Sequence, residues 1–226
     1  PITAGDVDEQ WASHHYFELV KESYLATEGP KTGSGLGKDD GLSILVLTWK
    51  RPHLLEEAIE SFLKQTNVKS EMVIINDDPN VNYMFHHPRV KIHNVPKFEK
   101  FMEKLKWGFD QCHYTHMYRL DDDDLLTPWA MELQREYYNQ SPNSDIYRCQ
   151  KHYFFSNNEY QDYADSVNNG NAYRTEWIKG IDMIDKSIGE DNWLTFMADG
   201  KIYTGNTGRY SMIYRWGMGV YHISGM

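Results

Sequence analysis

Four consecutive aspartates, Asp121, Asp122, Asp123 and Asp124, follow directly on a strand-like run at residues 115–120. Carboxylates crowded into one turn repel one another unless a cation joins them. A run of acids is most often a solvated face, and composition alone favours that plain alternative. The place of this run shifts the balance, because it sits where a buried strand should end, and in alternating α/β folds ligands gather at the carboxyl ends of strands. Hard carboxylate oxygens with no adjacent nitrogen or sulfur donor suit Mg2+ or Mn2+, the ions that carry phosphorylated substrates. A calcium loop of the EF-hand kind is excluded, because Leu125 and Leu126 occupy positions that need a ligand and a glycine, and Pro128 interrupts the segment after them.

A second acidic turn, Asn76-Asp77-Asp78-Pro79, ends an apolar run at 72–75, and an acid pair, Glu190 and Asp191, opens a later segment. Such a pair at a helix start also serves as a cap, since the helix dipole favours acids there. Lys104 and Lys106 fall on an amphipathic segment; they could meet phosphates, but a solvated helix face is the expectation. The glycine-rich stretch at 33–39 invites comparison with a phosphate loop. Thr32 stands where that loop's first glycine belongs and Asp39 replaces its hydroxyl, so a linker is the better reading.

The elements that would position these residues alternate. Residues 43–48 and 72–75 read as buried strands, 89–95 and 115–120 as two more. Between them, Leu55, Ala58, Ile59, Phe62 and Leu63 recur at helical spacing after Pro52, which suits a first helical position. Phe98, Phe101, Met102, Leu105 and Phe109 mark a second helix. This order predicts an α/β fold with a mostly parallel central sheet and helices on both faces. Beyond Leu125 an α+β portion is expected: a helix at 128–139, a strand at 146–155, a polar loop at 156–171, a short helix near 190, and aromatic strands near Tyr203, Tyr214 and Tyr221. Residues 1–41, with a ragged amphipathic segment and a glycine-rich connector, are expected to form an N-terminal helix and linker outside a domain at 42–226, itself divided into a half at 42–124 and a half at 125–226.

Composition narrows the function classes. The chain has 226 residues with 40% hydrophobic and 14% aromatic content, enough for a packed core. Its net charge of −10 argues against a partner bound through a phosphate backbone, so nucleic acid is not expected. No apolar run is long enough to span a bilayer. Two cysteines exclude a disulfide framework, and a reducing, cytoplasmic setting is the expectation. The chain is open to being one part of a larger multidomain protein.

Taken in order, SILVLTWKRPHLLEEAIESFLKQT, MVIINDDPN, YRLDDDD and IGEDNWL resemble the family 2 glycosyltransferases of the GT-A fold. The resemblance implies a first strand leading to an Arg-containing turn, here Arg51, and a helix ending in Ser-x-x-x-Gln-Thr, here Ser61 and Gln65-Thr66. It implies a nucleotide-sugar donor, UDP-linked by preference, contacted by Thr48, Arg51, Asp77, Asp78, Asp121 and Asp122. Asp121 and Asp123 correspond to an Asp-x-Asp metal motif for Mn2+ or Mg2+, and His222 to a late histidine that completes the metal sphere in some relatives. Glu190 and Asp191 correspond to a Glu-Asp pair whose aspartate is the catalytic base of inverting members. The implied reaction is metal-dependent transfer, with inversion, of a sugar to a hydroxyl of a glycan or other acceptor. Pro79-Asn80 replaces the usual Gly-Ser after the Asp-Asp turn, a local departure. A nucleotidyltransferase of related fold is the rival enzyme class, though residues 48–52 are not its glycine-rich loop; a non-catalytic sugar-binding or assembly module is the rival without turnover.

Overall fold

The structure, a computed structural model, describes residues 41–65, 68–156, 159–163, 170–182 and 190–216. The expected N-terminal helix and linker up to residue 40, and the strand near Tyr221, lie outside the described residues.

Strands β1 (Leu42–Thr48) and β2 (Ser70–Asn76) are apolar on both faces, the signature of parallel strands covered on both sides. They pair in parallel, and β2 pairs in parallel with β3 (Val90–Asn94). On the other side of β1 lies β4 (His116–Asp121), again parallel. Helix α1 (Pro52–Leu63) links β1 to β2 and α2 (Phe101–Gln111) links β3 to β4. Side chains alternate along each strand, so Ile44, Val46, Met72, Ile74 and Leu120 pack with Leu54, Leu55, Ala58, Ile59 and Phe62 of α1. Leu45, Val73, Ile75 and Met117 face the other way, toward Met102, Leu105 and Phe109 of α2. Gly108 lets α2 approach closely, since a Cβ there would stand 2.8 Å from Leu45 Cδ1.

The rest of the chain completes a seven-stranded sheet in the order β10-β6-β9-β4-β1-β2-β3 and adds a second sheet, in which β5 (Leu125–Leu126) lies beside β11 (Met212–Trp216), β11 beside β7 (His152–Ser156) and β7 beside β8 (Glu159–Tyr163). In the first, β9 (Ala172–Arg174) runs antiparallel to both β4 and β6 (Ile146–Cys149), and β10 (Ile202–Gly205) is parallel to β6. Helix α3 (Ala130–Gln140) joins the α1 face, with Leu133 and Tyr137 in its core, while α4 (Thr175–Gly180) and α5 (Glu190–Met197) supply Ile178 and Leu194 to the α2 face. The expected mostly parallel sheet with helices on both faces is therefore present. No helix among the described residues is long and apolar enough to cross a membrane.

Two sequence expectations need correction. The stretch 146–155 is not one strand: it breaks after Cys149, so that β6 belongs to the large sheet and β7 (His152–Ser156) to the small one. The expected loop at 156–171 contains β8 (Glu159–Tyr163), which pairs antiparallel with β7 at the margin of the small sheet. A polar edge strand carries no apolar period and so is invisible to pattern reading.

The Ser61 and Gln65 spacing also acquires a physical role. Both side chains are buried, and together they tie α1 to the segment after the acidic turn. Gln65 Nε2 donates to Thr127 O at 2.7 Å, its Oε1 accepts from Met131 N at 3.2 Å, and Ser61 Oγ accepts from Leu126 N at 3.1 Å. Replacing Gln65 by Leu takes the side-chain partner from the buried Met131 N–H, at a cost of about 1–3 kcal/mol, while the Thr127 carbonyl keeps the Ala130 N–H. Urea denaturation of Gln65→Leu should show a loss of unfolding free energy of that size; a loss below ~0.5 kcal/mol would mean that this tie is not structural.

Candidate functional site

Parallel register assembles the site. Thr48 stands opposite Asn76, and Leu47 opposite Asp121, so the ends of β1, β2 and β4 lie side by side at one edge of the sheet. The chain leaves β1 through Lys50, a non-glycine residue at φ 59°, in the left-handed region, and delivers Arg51 over the acidic turn. Arg51 Nη2 lies 2.5 Å from Asp122 Oδ1, and Nη1 lies 2.6 Å from Asp123 Oδ2.

The four aspartates are far from a solvated face. Asp122 and Asp124 are fully buried and Asp123 is 3% exposed. Only Asp121 keeps substantial contact with solvent, its side chain being 32% exposed, and it faces Arg119 at 3.5 Å. Asp124 Oδ1 accepts from the backbone N–H of Arg215 at 2.9 Å. The Arg215 side chain, buried in β11 (Met212–Trp216), donates to the Asp123 carbonyl and pairs with Glu57 on α1.

Burial disfavours the charged carboxylates and sets their titration. Asp123 is pushed up to about 7, by burial first and then by the charge of Asp121, against the opposing pull of Arg51. Asp124 lies well above the usual carboxylate range, through burial and then the charges of Asp123 and Asp121. Asp122 is raised by burial, which outweighs the opposing charge of Arg51. For Arg51, burial acts to lower the pKa, yet the facing carboxylates of Asp122, Asp123 and Asp121 raise it overall.

Asp121, Asp123 and Asp124 each offer a carboxylate oxygen, and these atoms lie within 4.8 Å of one another. The set is all-oxygen, the chemistry of Mg2+ and Mn2+ sites. Asp124 joins the pair expected from the sequence, Asp121 and Asp123.

The second acidic turn is joined to the first through Lys104. Contrary to the expectation of a solvated face, Lys104 is 7% exposed, and its ammonium donates to Asp77 Oδ1 at 2.5 Å and to Thr48 O at 2.8 Å. Helical spacing places residue 104 on the same inward stripe as Leu105 and Gly108, and a buried carboxylate stabilises a cation there. Asp77 Oδ2 also accepts from Phe98 N at 3.3 Å. Asp78 takes the turn-forming role, its Oδ1 accepting from Asn80 N at 3.0 Å. Lys106 instead donates to the Lys179 carbonyl.

Tyr83 carries no sequence signal that would mark it as a site residue. Asn76 and Asn94 pin its loop: Asn76 Nδ2 donates to Val81 O at 2.6 Å, and Asn94 exchanges bonds with Tyr83 N and O, each at 2.9 Å. The Tyr83 hydroxyl is buried without a hydrogen-bond partner among the described residues. Its pKa is raised by burial, then by Asp78 and Asp122, so it stands within the field of both acidic turns. No motif marks such a residue, because the loop's course depends on two asparagines from different strands.

Glu190 and Asp191 open α5, but their side chains, like all of His222, lie outside the described residues. Trp193, a possible sugar-stacking residue by type, belongs to the core on the α2 face, whereas Trp216 is 36% exposed. A cavity of about 500 Å³ beside α2 and α4, lined by Phe98, Met102, Trp107 and Ile181 among others, includes none of the four aspartates.

Comparison with known proteins agrees with this architecture. A curated "Uncharacterized glycosyltransferase" of Haemophilus influenzae is 27% identical over 105 residues, covering 43% of this chain and 39% of that protein. The crystal structure of S. aureus TarS 1-349 in complex with UDP-GlcNAc superimposes with a TM-score of 0.64 at 14% identity, covering 80% of this chain and 60% of that one. The UDP complex of the same TarS fragment gives a TM-score of 0.61 at 14% identity, over 78% of this chain and 60% of that one. The chain thus spans less than two thirds of the proteins it resembles. Likeness at such identity speaks for the fold, which is the GT-A type. The sequence model described as "Glycosyl transferase family 2" matches residues 43–192, most of the chain and all of the acidic network's first sheet edge, and the chain belongs to that family.

Proposed function

We propose that this chain transfers a sugar from a nucleotide-diphosphate donor, UDP-linked by preference, to an acceptor hydroxyl, with a divalent ion and inversion at the anomeric carbon. The observation that carries this reading is the convergence of Asp121, Asp123 and Asp124 at the carboxyl ends of parallel strands, in a chain of this family. The UDP and UDP-GlcNAc complexes of TarS support the choice of donor.

In this reading Asp121, Asp123 and Asp124 would hold Mn2+ or Mg2+, which when bound supplies Lewis-acid stabilisation of a leaving diphosphate. Arg51, whose planar fork matches phosphate geometry, lies beside that position. Asp77, held by Lys104 and the Phe98 amide, receives the base or ribose, with Thr48, Asp78 and Asp122 around it and the Tyr83 hydroxyl as a further donor-side group. Asp191 is the base toward the acceptor hydroxyl and Glu190 its neighbour. Such transfer is feasible from an aspartate because the hydroxyl proton becomes acidic as the new C–O bond forms. His222 is a further ligand in the same proposal.

Metal-linked donor binding has a pH signature. Asp123 has a folded pKa of about 7, above its unfolded value, so its ionised form weakens the metal-free fold above pH 7, and that penalty disappears as the pH falls toward 4. An ion that binds the ionised form should therefore stabilise most above pH 7. With UDP and Mn2+, the melting temperature should rise more at pH 8 than at pH 5.5, and chelator should remove most of the gain. Asp123→Asn should lose the Mn2+ dependence. An equal gain in chelator would refute the metal assignment, and a larger gain at pH 5.5 would refute the role of Asp123.

The base is tested separately. Asn preserves most of a helix cap but cannot take a proton, so Asp191→Asn should lower kcat by roughly 10²–10⁴ while donor binding, read by calorimetry, stays nearly constant. The product's anomeric configuration, read by NMR with a screen of UDP-sugars and simple acceptors, should be inverted. Near-normal turnover by this variant, or retention of configuration, would dismiss Asp191 as the base.

A further inference from the structure

Arg51 and Arg215 both serve the buried part of the acidic turn, and they differ in freedom. Arg215 is 1% exposed, bound through its backbone to Asp124 and through its side chain to the Asp123 carbonyl and Glu57. It is built into the sheet and holds the turn's backbone. Arg51 is the more accessible of the two: its side chain is 21% exposed and reaches the turn from a loop, immediately after the left-handed Lys50. Its guanidinium bridges Asp122 and Asp123 at 2.5 and 2.6 Å, and Asp123 is a member of the three-carboxylate set. A guanidinium and a divalent ion on the same carboxylate repel each other, since both demand its negative charge in a setting of low dielectric.

We propose that Arg51 is a resident counter-cation which withholds Asp123 from the divalent ion until a diphosphate draws the guanidinium away, so that ion binding and donor binding become mutually dependent. This rests on the donor and metal reading above and adds the source of their coupling. Asp123, a buried carboxylate, needs a positive partner when it is ionised and the donor is absent, and Arg51 Nη1 provides one through a hydrogen bond of 2.6 Å. When a nucleoside diphosphate enters, its phosphate oxygens accept the same fork, and the ion replaces the guanidinium at Asp123. Reciprocity then requires that donor tighten ion binding by the factor by which the ion tightens donor binding.

The test counts free Mn2+ by electron paramagnetic resonance with the full chain at pH 8, with and without UDP. In the wild type, Mn2+ alone should bind weakly, and UDP should tighten it by about tenfold or more. Arg51→Gln should bind Mn2+ alone about tenfold more tightly than the wild type, while the extra effect of UDP shrinks, because no cation has to leave. Arg51→Lys, which keeps the charge but loses the fork, should fall between them and serves if the glutamine variant does not fold. Unchanged or weaker binding of Mn2+ alone in these variants overturns the proposal, even if UDP and Mn2+ bind together in the wild type. Failure of the wild type to retain Mn2+ even with UDP overturns the metal reading itself, and this proposal with it.

Discussion

The cost of burying carboxylates governs the organisation of this protein around its sheet edge. Asp122, Asp123 and Asp124 are almost wholly removed from water, and an ionised carboxylate in such a place persists only with a cation or several hydrogen bonds beside it. Arg51 reaches them from the loop after β1, Arg215 from β11 in the second sheet, and Glu57 on α1 extends the chain of pairs. Elements separated by 158 residues in sequence are thereby joined at one point, as the Arg215 to Glu57 pair shows. The small sheet, which could have been a peripheral addition, is tied to the acidic turn through this requirement.

A second ion pair extends the same logic to the neighbouring turn. Lys104 on α2 sits between Asp77 and the Thr48 carbonyl, so the ends of β1 and β2 are bound to a helix on the opposite face from α1. Both acidic turns are consequently held from behind by arginine or lysine side chains that the core itself packs. Asn76 and Asn94 do comparable work with neutral groups, fixing the loop that carries Tyr83.

Some residues of the family pattern hold the frame. Ser61 and Gln65 lie in the most recognisable part of the family pattern, yet each is spent on buried backbone groups at 126–131. They keep the chain after the acidic turn in place. A pattern shared by a family can therefore mark architecture as readily as chemistry, and hydrogen-bond partners distinguish the two.

The sequence by itself determined the alternation of strands and helices from residue 42 to about 140, because buried parallel strands read as unbroken apolar runs and their crossover helices carry a 3.6-residue period. It also determined that acids end two of those strands, and from the ordered motifs it identified the family. Tertiary structure alone decided that Asp124 lies with Asp121 and Asp123, that Lys104 turns inward, and that Arg215 and Tyr83 serve the same edge. It alone split residues 146–155 between two sheets and paired the polar strand β8. The physical reason is common to these cases: periodicity reports which residues avoid water, but a buried charge is placed by its partner, and here the partners come from elements far apart in the chain.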